Sequence, residues 1–141
     1  MNRRIALTLS FVALLLASPA LRAQKPVKLN DPSTIPRITI MGFQPLYADG
    51  KIFVIDVREA VSFEGGRIPG ALNVPLGEVE KRVEEVREKS AGKPIVTYCS
   101  CPSEHTSAEA ALILYKHGIK DVRALVGGYV EWVRSGGKVE R

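Results

Sequence analysis

The segment that most constrains the fold is 95–115, where an apolar run, a cysteine, a turn and a helix-forming stretch follow one another. Residues 95–98 read Ile-Val-Thr-Tyr, a β-favouring run of the length of a buried strand. Residues 108–115 read Ala-Glu-Ala-Ala-Leu-Ile-Leu-Tyr, which is rich in strong helix formers. The sequence therefore predicts a strand–loop–helix unit with Cys99 at the carboxyl end of the strand.

Cys99 lies where a thiolate would be stabilised. Backbone N–H groups converge where such a loop enters a helix, and the helix dipole there favours an anion. The thiolate is the reactive form of cysteine, so we interpret Cys99 as a catalytic nucleophile. The alternative is a buried structural cysteine, which is a common role for a single cysteine.

Short apolar runs alternate with helical segments along the rest of the chain. Strands are predicted at 37–40, 52–56, 70–74, 95–98 and 121–125. Helical segments are predicted at 42–48, 62–66, 77–89 and 108–115, and Gly127-Gly128 is expected to open a final helix. This alternation predicts an α/β fold with a mainly parallel central sheet and helices on both faces. Sites in such sheets lie at the carboxyl ends of the strands, where Cys99 is expected.

The first 23 residues are interpreted as a secretory signal peptide. Arg3 and Arg4 precede an apolar stretch at 5–17, and small residues follow, so cleavage is expected after Ala23 or, as a second choice, after Ala20. The alternative is an uncleaved membrane anchor, although the apolar run is short for a bilayer span. The sequence thus predicts a periplasmic or secreted protein with no stable membrane anchor after cleavage.

The mature chain carries little net charge and no complete set of metal ligands. Residues 1–23 contain three arginines and no acidic residue, so their removal lowers the formal net charge from +5 to +2. No basic stripe with interleaved aromatic residues remains, which argues against nucleic-acid binding. Two cysteines and two histidines form no closed ligand set, so neither a metal nor an organic cofactor is predicted.

The proline-containing stretch at 24–36 is interpreted as an extended linker, because three prolines lie among polar residues. A single folded domain is then expected at 37–141.

Four blocks of sequence together resemble a single rhodanese domain. They are 55–58 (Ile-Asp-Val-Arg), 63–75, Tyr98-Cys99, and 125–129 (Leu-Val-Gly-Gly-Tyr) with Trp132. The blocks occur in order and at family-like spacing over about residues 37–138. The resemblance implies a sulfurtransferase-type fold in which Cys99 carries a persulfide. It also implies supporting roles: Asp56 and Arg58 brace the loop after their strand, while Gly127 and Gly128 allow a tight turn into the last helix.

The loop after Cys99 departs from the commonest rhodanese pattern, which has glycine at the fourth position and arginine at the sixth. Pro102 and Glu104 stand there instead, giving Cys-x-Cys-Pro-x-Glu. A carboxylate in the first turn of a helix is favourable in itself, so we expect Glu104 to face solvent. The alternative is an inward carboxylate, which would repel the Cys99 thiolate and an anionic donor. Because no cation occupies that position, thiosulfate is expected to be a poor donor. The predicted substrate-binding loop comprises Ser100, Cys101, Pro102, Ser103, Glu104 and His105.

Cys101 leaves more than one function open. The signal peptide would place the domain outside the reducing cytosol, where disulfides persist. A disulfide between Cys101 and Cys99 would close a small, strained ring, and strained disulfides are easily reduced. The sequence predicts an exported rhodanese-type sulfurtransferase that moves sulfane sulfur through a persulfide on Cys99. The alternatives are a thiol–disulfide redox module using Cys99 and Cys101, with Cys101 also a candidate resolving thiol that releases sulfide, or a non-catalytic rhodanese-fold binding domain.

The expected partners are a small sulfur-containing substrate or thiol acceptor and a protein thiol. A phosphatase loop of the Cys-x5-Arg type is disfavoured, because no arginine follows Cys99 until Arg123 and none could clamp an oxyanion bidentately.

Overall fold

The computed structural model describes residues 25–141 and contains a five-stranded sheet in which every pair of neighbouring strands is parallel. The strands are β1 (Arg37–Ile38), β2 (Phe53–Asp56), β3 (Leu72–Asn73), β4 (Ile95–Tyr98) and β5 (Val122–Leu125). Their order is β1-β5-β4-β2-β3, so β4 is the central strand. The parallel sheet predicted from the alternating pattern is confirmed.

Helices connect the strands. Within residues 25–141 the α-helices are α1 (Ile40–Ala48), α2 (Ala60–Gly65), α3 (Val83–Ser90), α4 (His105–Lys116) and α5 (Gly128–Arg134). Short 3₁₀ turns lie at Pro32–Thr34, Leu76–Glu78 and Glu80–Arg82. No helix among these residues is long and apolar enough to cross a membrane.

Two apolar layers cover the two faces of the sheet, because successive strand residues point to opposite faces. Ile55 of β2 packs in one layer with α3 and α4, represented by Val86 and Leu114. Val54 packs in the other layer, which includes Phe43 of α1. The predicted helices on both faces are therefore confirmed, and the central strands are buried on each side, as parallel strands usually are.

The register of the sheet brings two loops together at its carboxyl edge. β4 lies between β2 and β5, and Asp56 at the end of β2 pairs with Tyr98 at the end of β4. The loop after β2 therefore begins beside the loop that starts at Cys99. Since parallel strands end at the same edge, this edge is where a site is expected.

Two predicted elements end or begin elsewhere. The first strand stops at Ile38, because the Thr39 hydroxyl caps α1 by accepting a hydrogen bond from the Gly42 N–H at 3.3 Å. The helix predicted at 77–89 is divided, and α3 begins only at Val83. The guanidinium of Arg82 donates to the carbonyl of Asn73 at 3.0 Å, which ties this stretch to the end of β3.

Part of the predicted linker at 24–36 packs against the domain. Ile35 is 2% exposed and belongs to the layer that includes α4. The carbonyl of Pro36 accepts a hydrogen bond from the Ala124 N–H at 3.0 Å. The folded unit thus begins several residues before the boundary predicted at Arg37. The predicted signal peptide lies outside the described residues.

Candidate active site

Cys99 immediately follows β4 and is 3% exposed. Five residues separate it from His105, the first residue of α4, so the predicted strand–loop–helix unit is present. The burial of Cys99 follows from the strand alternation, because its side chain joins the layer covered by α4. The thiol therefore lies at the carboxyl edge of the sheet, directly after the end of β4.

The start of α5 holds the main chain of Cys99. The Tyr129 N–H donates to the Cys99 carbonyl at 2.8 Å. A Cβ atom added to Gly128 would lie 2.1 Å from the same carbonyl oxygen, so only glycine fits there. Gly127 and Gly128 have φ values of +70° and +51°, in the left-handed region that glycine tolerates best. These two glycines form a tight turn into α5.

The two thiols of the chain lie against each other. Cys99 Sγ and Cys101 Sγ are 2.6 Å apart, and both cysteines are free. Cys99 Sγ lies 3.6 Å from the Ser107 hydroxyl, and Cys101 Sγ lies 3.6 Å from the Thr106 hydroxyl. The first turn of α4 therefore supplies one hydroxyl to each sulfur.

Their surroundings shift the pKa values of the two thiols in opposite directions. Burial, and then the hydrogen bond with Cys101, raise the pKa of the Cys99 thiol. Burial acts to raise the pKa of Cys101 as well, but hydrogen bonds from Cys99 and Thr106 outweigh it and lower that pKa. The backbone amides of Cys101 and Ser107 do favour a Cys99 thiolate, as the sequence suggested, yet burial dominates. In the resting site the thiolate therefore forms more readily on Cys101.

Glu104 does not face solvent, so the sequence-based expectation for this residue is wrong. Its side chain is 13% exposed, and Oε1 accepts a hydrogen bond from the Gly127 N–H at 2.7 Å. Oε2 lies 3.9 Å from Nε of Arg37 in β1. The carboxylate turns inward because it satisfies the amide that precedes α5 and pairs with a nearby cation. Glu104 thereby links β1, the cysteine loop and α5.

The remaining loop residues are exposed. Ser100 and Pro102 line a cleft of about 240 Å³ whose opposite wall includes Gly127 and Val130 of the α5 region. The side chain of His105 is 73% exposed, and its ring lies 4.0 Å from the Glu109 carboxylate. The residues that line this cleft therefore include Ser100 and Pro102 of the loop but not His105. Ser103 has an exposed position at the tip of the loop.

The neighbouring loop after β2 is braced by a buried ion pair. The Asp56 carboxylate is inaccessible to solvent and accepts hydrogen bonds from Nε of Arg58 at 2.9 Å and 3.1 Å. Nη2 of Arg58 also donates to the Gly66 carbonyl at 2.7 Å, and the guanidinium lies 4.2 Å from the centre of the Tyr129 ring. Asp56 and Arg58 thus join the end of β2 to the Gly66 carbonyl.

Residues 43–135 match the family described as Rhodanese-like domain. The chain belongs to this family. The match covers the braced loop after β2, the cysteine loop and all of α5, so the resemblance noted in the sequence is confirmed for one rhodanese-like domain.

Known relatives connect the rhodanese-like domain with sulfur transfer. YrkF of Bacillus subtilis, named as a candidate sulfur carrier protein, is 38% identical over 109 residues, which cover 77% of this chain and 55% of that protein. The chain thus spans little more than half of this relative. The thiosulfate sulfurtransferase GlpE of Coxiella burnetii is 30% identical over 81 residues, covering 57% of this chain and 71% of the relative.

A similar solved structure is RPA3614 of Rhodopseudomonas palustris, a protein of unknown function described as a possible tyrosine phosphatase. It superimposes with a TM-score of 0.69 at 26% identity and covers 79% of this chain and 90% of its own. The rhodanese-like domain of Alr3790 from Anabaena superimposes with a TM-score of 0.65 at 25% identity and covers 74% of this chain and 78% of its own. That likeness and the parallel five-stranded sheet confirm the rhodanese-like α/β fold.

Sequence reasoning missed four residues of the site: Arg37, Thr106, Ser107 and Tyr129. Thr106 and Ser107 had a usable signal, because the first turn of a helix that follows a nucleophile faces its loop. Arg37 and Tyr129 come from β1 and α5, and nothing local in the sequence associates them with Cys99. Among residues 25–141, no group of three or more His, Cys, Asp or Glu side chains is arranged to hold a metal ion.

Proposed function

We propose that the protein is an exported sulfurtransferase that carries sulfane sulfur as a persulfide on Cys99. The observation that carries the proposal is the position of Cys99 at the end of central strand β4, with the amides of Cys101 and Ser107 favouring its anionic form. The same amides would stabilise a persulfide anion, which places its charge close to the thiolate position. The rhodanese-like family and its sulfurtransferase relatives support this chemistry.

The thiol pair supplies a route to the nucleophile. Across the 2.6 Å contact, the Cys99 thiol can give its proton to the Cys101 thiolate. The resulting Cys99 thiolate attacks the outer sulfur of a persulfide donor, the donor's S–S bond breaks, and the donor leaves as a thiolate. Cys101 then acts as a general base in the loading step, within the hydrogen-bonding reach such a role requires.

The charges near the loop favour donors of low charge. Glu104 stands where the commonest rhodanese loop has arginine, and its carboxylate already interacts with Arg37. The dianion thiosulfate therefore finds no unengaged cation in the loop at 99–105. We infer that small persulfides and polysulfides are better donors, and that the cleft beside Ser100 and Pro102 receives the donor or a thiol acceptor.

Sulfur loading of two matched variants tests the assignment of Cys99. The reduced protein is treated with glutathione persulfide without oxygen, and its intact mass is measured. Cys101→Ser is expected to gain one sulfur atom, whereas Cys99→Ser is expected to gain none. Loading of Cys99→Ser but not of Cys101→Ser would show that Cys101 is the nucleophile.

A thiol–disulfide redox module is the second candidate, because the two free thiols are already in contact. Such a module would catalyse the reduction of insulin by dithiothreitol and would need both cysteines. The sulfurtransferase is expected to show little of this activity and to depend on a sulfane donor. Rapid insulin reduction by the unmodified protein would favour the redox module.

Export rests on the sequence of residues 1–23, with its arginines, apolar stretch and Ala23. The mature protein recovered from the export compartment is expected to begin at Gln24, or at Leu21 if the second cleavage position is used. Terminal sequencing that finds Met1 on the exported protein would contradict cleavage.

A further inference from the structure

We propose that Cys101 resolves the Cys99 persulfide, so that the sulfur leaves as hydrosulfide and the two cysteines form a disulfide. This inference rests on the proposed function, because it needs a persulfide on Cys99. It adds a product, inorganic sulfide, and a second reactant, a dithiol that restores the free cysteines.

Geometry supports this step first. The two sulfur atoms are 2.6 Å apart in the free thiol pair, so no large movement of the loop is needed to bring them together. They are the only two cysteines in the chain, so the disulfide has a single possible pairing within it. One residue, Ser100, lies between them, and the Thr106 hydroxyl lies against Cys101 Sγ at 3.6 Å.

The burial of Cys99 also favours attack by Cys101 over attack by an external thiol. Cys99 is 3% exposed, whereas Cys101 is partly exposed on the same loop. An external thiol acceptor must reach the buried persulfide, whereas Cys101 Sγ already lies against Cys99 Sγ. Holding two reacting groups together in this way gives effective concentrations far above those of a thiol in solution. Intramolecular attack is therefore expected to precede transfer to most external acceptors.

The pKa of Cys101 also favours its attack on the Cys99 persulfide. Despite its partial burial, hydrogen bonds from Cys99 and Thr106 lower the pKa of Cys101, which favours the nucleophilic thiolate.

The reaction balances without an oxidant. The outer sulfur of the persulfide anion takes up the proton that the Cys101 thiol gained in the loading step, and the resulting Cys101 thiolate attacks Sγ of Cys99. The bond between Cys99 Sγ and the outer sulfur breaks, and the outer sulfur leaves with the electron pair as HS⁻. The outer sulfur is reduced and the two cysteines are oxidised to a disulfide. A dithiol then reduces this disulfide by thiol–disulfide exchange, which returns both cysteines to the free state.

Anaerobic loading with glutathione persulfide tests the step. Each protein is first reduced and freed of reductant, and then treated with one equivalent of donor. Released sulfide and the intact mass of the protein are followed together. The unmodified protein is expected to release about one sulfide per chain and to lose two hydrogens. Cys101→Ser is expected to keep the added sulfur and to release sulfide at least about tenfold more slowly.

Cys99→Ser serves as the matched control, because it retains the same number of thiols as Cys101→Ser and measures sulfide from decomposition of the donor. A sample without donor measures oxidation by residual air. Addition of dithiothreitol to the unmodified protein after the burst is expected to restore the mass of the dithiol form and a second burst with fresh donor.

The outcomes separate this inference from the proposed function. A stable persulfide on the unmodified protein, with no disulfide and no sulfide above the control, overturns the resolving role while the proposed function stands. Tandem mass spectrometry that places the added sulfur on Cys101 also overturns it, since the sulfur would then have been passed on rather than released. Absence of sulfur gain in Cys101→Ser, together with neither persulfide, sulfide nor disulfide from the unmodified protein, would overturn the proposed function itself.

Discussion

The loops after β2 and β4 leave the sheet side by side, yet they differ in how their polar groups are satisfied. In the loop after β2, the buried Asp56 carboxylate and the Arg58 guanidinium neutralise each other, and Arg58 also bonds to the Gly66 carbonyl. In the loop after β4, the two sulfurs of Cys99 and Cys101 have each other and two hydroxyl groups. The first loop is a closed network of charges, and the second keeps groups that can react.

The comparison shows how one edge of a sheet can combine rigidity with reactivity. A buried ion pair contributes little net stability, but removing one partner is costly because a charge is left without compensation. A thiol pair carries no obligatory buried charge, and either sulfur can donate a hydrogen bond to the other, so the pair can change its protonation and its bonding. Substitutions in the first loop should therefore affect folding, and those around the second should affect chemistry.

The largest expected effect is on stability, from Arg58→Met. This change leaves the Asp56 carboxylate buried without its cation, and the free energy of unfolding should fall by about 3–5 kcal/mol. Arg87→Met is the control, because Arg87 pairs with Glu84 at the surface and should cost at most about 1 kcal/mol. Urea unfolding of both variants provides the measurement. Equal losses would show that the network after β2 is no more critical than a surface pair.

The next largest effect is expected on the rate of sulfur loading, and it should differ between substitutions of the two glycines that precede Tyr129. Both Gly127→Ala and Gly128→Ala introduce strain at a positive φ, costing about 1–2 kcal/mol each. Only the Gly128 substitution drives a methyl group into the Cys99 carbonyl, whereas the added atom at Gly127 meets the Glu131 side chain. The rate of sulfur loading should fall at least about tenfold further in Gly128→Ala. Comparable loading rates in the two variants would argue that the Cys99 main chain can shift without consequence.

A smaller effect is expected at Glu104, which joins the reactive loop to α5. Glu104→Gln keeps an acceptor for the Gly127 N–H but removes the negative charge, so thiosulfate use should rise at least about threefold, because a charge about 6 Å away contributes ~0.7 kcal/mol even at the dielectric of water. Cyanide-dependent formation of thiocyanate measures the change. Glu104→Ala is the companion variant and should be less stable by about 1 kcal/mol, because the amide loses its acceptor.

Glu104→Arg introduces the residue of the commonest rhodanese loop, but it tests the effect of the Glu104 charge on thiosulfate use less directly. Arginine offers no acceptor to the Gly127 N–H, and it would place a second cation near Arg37. Its effect on thiosulfate use would therefore combine a gain in charge with a loss of loop structure. Unchanged thiosulfate use in Glu104→Gln would show that the carboxylate does not oppose anionic donors.

The smallest expected effect is a shift in the pH dependence of alkylation. Thiolates react and thiols do not, so alkylation by iodoacetamide rises as pH increases through the pKa. Cys101, whose pKa is lowered, should react at lower pH than Cys99. In Cys101→Ser the Cys99 profile should move to lower pH, because the neighbouring thiol that raises its pKa is gone. Mass spectrometry of each site over a pH series measures the shift. A Cys99 profile that stays at the same pH or moves to higher pH in Cys101→Ser would contradict this prediction.

Most elements could be predicted because their signals are local. β4 occupies the predicted 95–98, and the helix after Cys99 was expected from its own composition. The divided helix before β4 could not be predicted in the same way, since Arg82 is held by the Asn73 carbonyl, nine residues earlier in the chain. The burial of Ile35 likewise depends on a layer formed by α4. Contacts between separate elements override the local pattern in both places.

Some features of the candidate site likewise follow from the local sequence, and others depend on contacts between separate elements. The sequence alone determined the nucleophile's position after a strand, the single residue between Cys99 and Cys101, and the absence of an arginine in the loop. Only the tertiary structure decided the orientation of Glu104, because its hydrogen-bond partner Gly127 lies 23 residues later. It also decided which thiol forms the thiolate more readily. Burial and hydrogen bonding differ between two cysteines that the sequence presents as near neighbours, and those differences arise only when α4 packs over the sheet.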